Sequence, residues 1–389
     1  MTVKMKKHSI LFVLFFVLSK ISLAQFVIGT VIDEVSEKPL QNANIFIAGT
    51  LVGTTTDKSG NFKLFIKENF SNPLIISYVG YETEIFPIKY FESNKIVKMT
   101  NKTNEIDEIN IHSNPGSWSR NKMLRIFKEE FLGTTDKARS CKILNENDIY
   151  LFYNENTDVL HARSLKPLII LNKMLGYRII YLLESFQNSK TGTKYKGYNV
   201  FEETEPNLKS LKKRINEERE KTYLGSIMHF MRYLYDYNIH KSDTIFDIVI
   251  NSTNYYYVAE DIKIISEIKP QLNYDPANMD TINAKLYTEA NLDRIFKQFL
   301  LYDSLGNILT IRQIIEDEEN MRQICYQGKI RIIYYPKAMD SYMVLKSNSI
   351  KIAENGYYDP DLISWYGSIG RYRLGDMLPF DYQPESTKK

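Results

Sequence analysis

Residues 53–66 read GTTTDKSGNFKLFI, and the fold of the first third of the chain follows from how that stretch divides. Val52-Gly53-Thr54-Thr55-Thr56 is a β-rich run, and Asn61 to Ile66 is another. Between them stands the turn Asp57-Lys58-Ser59-Gly60, where Asp57 is suited to accept backbone N–H bonds and Gly60 to take positive φ without steric cost. Working outward, Phe26 to Ile32 precedes as a strand, ended by the polar stretch Asp33 to Lys38 and by Pro39. Ala43 to Ile47 alternates in part, as a half-buried strand does. Pro73 to Tyr78 and Glu82 to Ile88 flank Gly80-Tyr81, and Lys95 to Met99 closes the set. Runs of roughly six residues with a turn about every 8–12 predict a sandwich of two antiparallel sheets.

The same residues carry a family resemblance. Gly29-Thr30-Val31-Ile32-Asp33, Pro39-Leu40, Ala43-Asn44-Ile45, Gly53-Thr54-Thr55-Thr56-Asp57, Gly60-Asn61-Phe62 and Ser77-Tyr78-Val79-Gly80-Tyr81 occur in that order. Together they resemble the carboxypeptidase-like regulatory domain, a small prealbumin-like β-sandwich common at the N termini of exported proteins of Bacteroidota-type bacteria. The resemblance implies a module without catalysis of its own. In that family the sandwich often precedes a TonB-dependent receptor, and Glu105 to Ile111 resembles the segment that joins the two. Only about 270 residues follow here, too few for a plug and a 22-stranded barrel.

The first 24 residues read as a signal peptide. Lys4, Lys6 and Lys7 give a basic start, Ile10 to Leu18 is an unbroken apolar run, and Ser22-Leu23-Ala24 supplies small residues ahead of Gln25. Nine apolar residues rise roughly 13 Å as a helix, short of a bilayer core of about 30 Å. An uncleaved N-terminal anchor is the competing reading. No later segment approaches 18 consecutive apolar residues, so no transmembrane helix is expected in the mature chain. The expected location is the periplasm, the outer-membrane surface or the extracellular space. The formal charge of +3 over 389 residues owes its sign to this leader, whose four lysines face no acid. The remainder stands at −1, which argues against nucleic acid as a partner.

The domain plan is a signal at 1–24, the sandwich at 25–111, a linker at 112–119 around Asn114-Pro115-Gly116, and a larger α+β domain at 120–389. The fold class expected overall is mostly β with α: the prealbumin-like sandwich, then an antiparallel sheet and a long helix. Trp118 to Leu132 has helical spacing, with Met123, Leu124, Phe127, Phe131 and Leu132 on one side. Ile149–Tyr153, Val159–Ala162, Leu168–Leu171, Tyr177–Phe186 and Tyr195–Phe201 read as an antiparallel meander. The long helix is placed at Leu208 to Tyr237, with Arg214–Glu218 and Glu217–Lys221 as i,i+4 pairs on a solvated face. Asp243 to Asn320 mixes short strands with charge-rich stretches. Gly328–Tyr335, Met343–Lys346 and Ile350–Ala353 are further strands. Asn172 to Tyr177, Tyr223 to Phe230, and Leu378-Pro379 also resemble segments of a recurrent exported protein type, a resemblance that implies architecture and no chemistry.

Few residues point to catalysis. The five histidines are His8, His112, His161, His229 and His240, and they form neither HExxH nor a His-x-x-Glu zinc pattern. CxxC, Gly-x-Ser-x-Gly and a phosphate-cradling glycine loop do not occur. No cofactor and no metal site is expected. Cys141 and Cys325 are read as independently buried, with pairing in an oxidising compartment as the alternative. The acidic run Glu316 to Glu319 reads as a solvated helix face or loop. One constellation stands out: Ser226 and His229 are three apart on the predicted helix, with Tyr223 and Arg232 near the same face. Tyr223, Ser226, His229 and Arg232 are the candidate ligand-binding residues, Arg232 being suited to an anion. Tyrosine numbers 28 and clusters at 255–257, 334–335 and 357–358. Its flat face and polar tip suit sugar or peptide, and it is equally a strand former.

These observations predict an exported, non-catalytic cell-envelope protein that binds or assembles with a glycan, a peptide or a protein partner. Two other readings stay open: an envelope hydrolase with its active site in 120–389, and a small outer-membrane barrel.

Overall fold

The computed structural model describes residues 25–66, 70–92, 94–102, 117–204, 208–237, 299–318, 321–334, 337 and 339–384. The expected signal peptide, Glu105 to Ile111, most of the linker, His112, His240 and the tyrosines at 255–257 lie outside them. The chain divides into two compact units, Met1–Ser113 with Tyr198–Val200, and Asn114–Gly197 with Phe201–Lys389.

The first unit is the β-sandwich. Its strands are β1 (Gln25–Asp33), β2 (Asn44–Ile47), β3 (Gly53–Thr55), β4 (Asn61–Ile66), β5 (Pro73–Ser77), β6 (Glu84–Pro87) and β7 (Lys95–Met99). They form one sheet in the order β4-β1-β7 and another in the order β3-β2-β5-β6. The alternation read from the sequence is the alternation of burial: in β4, Phe62, Leu64 and Ile66 point inward and Asn61, Lys63 and Phe65 outward. Val27, Val31, Leu64 and Val97 share one core with Ile45, Ile47, Leu74 and Ile76. Each fully buried aliphatic side chain there is worth about 1.5–3 kcal/mol. One pairing departs from the antiparallel expectation. β7 runs parallel to β1, Val31 opposite Val97, because the chain returns to the first sheet only after building β5 and β6 in the second.

The turn that set the reading is built as its residues dictate. Asp57 Oδ1 accepts from the backbone N–H of Ser59 at 2.8 Å and of Asn61 at 2.9 Å, and Gly60 sits at φ 74°. Just beyond it, at the end of β1, Asp33 accepts from the backbone N–H of Ser36 at 2.6 Å, from Tyr81 Oη at 2.9 Å and from Asn101 Nδ2 at 3.1 Å. One carboxylate thus gathers the start and end of the sandwich.

The second unit begins with α1 (Arg120–Phe131), whose Ser119 hydroxyl accepts from Lys122 N–H as an N-cap. Trp118 lies outside the helix and stacks on Tyr153 at 3.8 Å. Phe127 and Phe131, four residues apart, bury their rings against Phe186, Tyr181 and Tyr195. A short helix α2 (Asp136–Arg139) leads to β8 (Cys141–Ile143), β9 (Ile149–Asn154), β10 (Val159–Ser164), β11 (Leu168–Asn172), β12 (Tyr177–Ser189) and β13 (Gly192–Glu203). The strands are antiparallel, but they do not form the expected meander: the sheet order is β8-β11-β12-β10-β9, with β13 on β12, so β10 pairs with β12 and not with β11. β12 has 13 residues, enough to pair with β11 through Tyr177–Tyr181 and with β10 through Phe186–Asn188.

The helix expected over Leu208–Tyr237 is two helices, α3 (Lys209–Tyr223) and α4 (Ile227–Asp236). Gly225 at φ 77° ends the first, and the Ser226 hydroxyl caps the second. On α3, Glu217 pairs with Lys213 and Glu218 with Lys221. α4 buries Phe230, Met231 and Leu234 in a core shared with two sheets. One has the order β15-β14-β18-β19-β21, from β14 (Phe299–Tyr302), β15 (Ile308–Leu309), β18 (Lys329–Tyr334), β19 (Met339–Leu345) and β21 (Ile363–Tyr366). The other is β16-β17-β20, from β16 (Ile315–Glu318), β17 (Met321–Ile324) and β20 (Ile350–Ile352). The acidic run is therefore strand, not helix or loop: Glu316, Asp317 and Glu318 are exposed along β16, the edge of its sheet. Charge on an edge strand discourages pairing with other chains. A short helix α5 (Gly367–Gly370) follows β21.

Candidate functional site

The break between α3 and α4 brings the four candidate residues together. Tyr223 closes α3, and its carbonyl accepts from Ser226 N–H at 2.9 Å. Ser226 Oγ accepts from His229 N–H at 3.1 Å, and His229 Nδ1 accepts in return from Gly225 N–H at 3.0 Å. That second bond requires an unprotonated Nδ1. The imidazole lies among the rings of Tyr223, Phe299 and Tyr334, at 4.9, 5.0 and 5.4 Å. Burial, reinforced by the charges of Lys337 and Arg232, pulls its pKa down to about 4, so it is neutral at pH 7.

Arg232, one turn further along α4, is only 7% exposed. Its Nε donates to the Asn355 carbonyl at 3.0 Å, Nη1 to that of Tyr382 at 2.9 Å and Nη2 to that of Phe380 at 2.9 Å. The guanidinium also lies 5.5 Å from the Tyr223 ring centre. Its three nitrogens are thus held by main-chain carbonyls, the arrangement of a buried clamp.

The three segments with the looser resemblance meet around this clamp. In the β11–β12 turn, Asn172 is fully buried, donating through Nδ2 to the Gly375 carbonyl at 2.9 Å and accepting at Oδ1 from Leu175 N–H at 3.0 Å. Arg219 of α3 reaches the same turn, donating to the carbonyls of Leu175 at 2.8 Å and Gly176 at 3.2 Å, with Glu203 at 2.6 Å and the Tyr177 ring 4.0 Å away. Tyr382 returns to α3 through Glu220, 3.3 Å from its hydroxyl. Residues 374–382 are therefore a strap tying the hairpin turn to both helices.

Two further cations close the helix ends. Lys337 Nζ donates to the carbonyls of Lys221 and Leu224 at the end of α3, and Arg322 Nη1 donates to Tyr235 and Tyr237 at the end of α4. Asp317 holds Arg322 from the other side at 2.8 and 2.9 Å. Sequence reading missed both caps, because a cap residue about 90 or 110 positions away leaves no local pattern.

The remaining candidates stand elsewhere. His161 is on β10, opposite Phe152 and Gln187, and burial lowers its pKa. Cys141 and Cys325 are free thiols, pushed up to about 12 and about 11, in each case first by burial. Asp376 accepts from the Thr135 hydroxyl at 2.7 Å, and burial raises its pKa. No group of three His, Cys, Asp or Glu side chains able to hold a metal occurs among the described residues. Among them, too, no helix is long and apolar enough to cross a membrane.

Comparison with known proteins bears on the first unit. Residues 27–111 match the CarboxypepD_reg-like domain family, so the sandwich is a domain of that kind. Over 85 residues the chain is 30% identical to the TonB-dependent receptor SusC of Bacteroides thetaiotaomicron. That likeness covers 22% of this chain and spans 8% of the receptor's length. Among solved structures, the 9R-lipoxygenase of Cyanothece PCC8801 aligns over 54% of this chain and 48% of its own, at 9% identity and a TM-score of 0.16. That likeness is too slight to carry over fold or chemistry.

Proposed function

We propose that this chain, which contains a CarboxypepD_reg-like domain at residues 27–111, is an exported protein of the cell envelope that binds or assembles with a glycan, peptide or protein partner and makes or breaks no covalent bond. The observation that carries the reading is the sandwich itself, matched over 27–111 and similar to a segment of a TonB-dependent receptor. The geometry of the second unit supports it. Nucleophilic catalysis needs a hydroxyl whose proton a free imidazole can take. Here Ser226 Oγ accepts the His229 N–H, and the imidazole Nδ1 accepts Gly225 N–H. Arg232, the group suited to an anion, is occupied by three carbonyls. Within this reading the Tyr223–Arg232 cluster acts by holding the strap that shapes the unit.

Two measurements test this. The chain expressed with residues 1–24 intact in a Bacteroidota-type host should fractionate with the envelope, shortened at its N terminus. Recovery as full-length cytosolic protein would overturn the localisation. A panel of glycosidase, esterase and peptidase substrates should show no turnover that His229→Ala abolishes. Turnover lost in that variant while its melting temperature held would establish an enzyme instead.

A further inference from the structure

The face of the sheet β15-β14-β18-β19-β21 turned away from the α4 core carries a row of aromatic and basic side chains. Register places Tyr302 opposite Arg331, Arg331 opposite Tyr342, and Tyr342 opposite Tyr366, so the four project from one face across four adjacent strands. Their neighbours in sequence, Leu301, Ile330, Ile332 and Met343, lie in the core on the other face, with Trp365 packed against it. The row grades outward. Tyr302 is 5% exposed, the Arg331 side chain 43%, and Tyr366 54%.

The chemistry along the row is that of a recognition floor. Tyr342 and Tyr366 stand on neighbouring strands about 4.8 Å apart, and each brings a flat ring with a hydroxyl at its tip. Asp340 holds Arg331 through two parallel bonds of 3.0 and 2.9 Å, which fixes the plane of the guanidinium beside the rings. The Lys329 ammonium lies 3.8 Å from the Tyr342 ring centre. Lys329 and Arg331 are two apart on β18, so their Cα atoms stand about 7 Å apart and both side chains leave the same face. Two cations against one carboxylate leave this floor positive.

We infer that the face formed by Lys329, Arg331, Tyr342 and Tyr366 binds an acidic saccharide chain. Pyranose rings lie on the two tyrosines, and a carboxylate or phosphate on the sugar meets the cations beside them. Flat rings suit the apolar face of a sugar, and paired planar polar groups suit its hydroxyls. The excess positive charge selects acidic over neutral chains. This deepens the binding reading above and rests on it.

The test uses the chain purified from residue 25 onward, with oligogalacturonate as the acidic probe, dextran as the neutral one and dextran sulfate as a polyanion without uronic acid. Oligogalacturonate should bind, more weakly as salt is raised, and dextran should not. Tyr366→Ala and Lys329→Gln, both at exposed positions, should each weaken binding by about tenfold with the melting temperature unchanged. Oligogalacturonate binding of equal strength in both variants would remove this face while leaving the binding reading standing. Failure to bind oligogalacturonate would overturn the inference, as would dextran binding equally well. Dextran sulfate bound as tightly as the uronate and indifferent to Tyr366→Ala would reduce the face to a nonspecific polyanion contact and overturn it too.

Discussion

At the residue scale, two glycines and one histidine carry more than their size suggests. A Cβ on Gly60 would lie 2.5 Å from the Val31 carbonyl oxygen, and the backbone there already has positive φ. Gly60→Val should therefore destabilise the sandwich by about 2–4 kcal/mol, read as a lower melting temperature. An unchanged melt would mean that the Asp57–Gly60 turn is not what sets this hairpin. Gly225 is the counterpart in the second unit, where a Cβ would meet the Tyr334 ring at 2.6 Å. His229 makes the region acid-sensitive. It is neutral in the folded chain, with its pKa drawn from 6.5 to about 4, so on acidification the unfolded chain takes up the proton first. Stability is full above about pH 6.5 and falls between there and about pH 4, by up to about 3 kcal/mol. Urea midpoints at pH 7.5, 5.5 and 4.5 should show that slope, and His229→Gln should flatten it. The same slope in the variant would assign it to other groups.

At the scale of elements, the lesson is where helices stop. Tyr223 to Phe230 has a helical apolar stripe on both sides of Gly225, and the stripe alone predicts one long helix. The break was nonetheless written in the sequence: a glycine followed by a serine ahead of an apolar run is a C-terminal stop joined to an N-cap. The strands from Ile149 to Phe201 were legible because their alternation is regular and their turns are polar. Ile315 to Glu318 was not, because three consecutive acids hide the period of an edge strand that buries only Ile315, against Ile324 of its partner. The helix caps were illegible in principle, since Arg322 and Lys337 reach α4 and α3 through the fold and not along the chain. Arg322→Met should loosen the end of α4 and cost about 2–3 kcal/mol, seen as faster hydrogen exchange at the last turn and a lower urea midpoint. Exchange there at the parental rate would show that the cap is ornamental. The candidate site was half legible. Its four residues do meet, but their bonds to carbonyls of residues 355, 380 and 382 depend on contacts that no spacing encodes.

At the scale of the whole molecule, the sandwich has its own core and its own closing carboxylate, Asp33. Residues 25–111 expressed alone should unfold in a single cooperative transition. A molten fragment, with secondary structure but no sharp melt, would show that this core is not sufficient. The second unit works by a different rule. Its hairpin turn, its two helices and its last described segment are joined by polar contacts between residues 150 to 203 positions apart.

That strap at 374–382 has a consequence for how the protein is made. Contacts of such long range form late and slowly, since the intervening loop must close before any of them rewards it. While the ribosome is still short of Gly375, Asn172 has no Gly375 carbonyl to hold and Arg232 has only that of Asn355, and the larger unit stays unlatched. For a polypeptide threaded through a membrane before it folds, as proposed here, a latch made long after the residues it holds protects against folding on the wrong side.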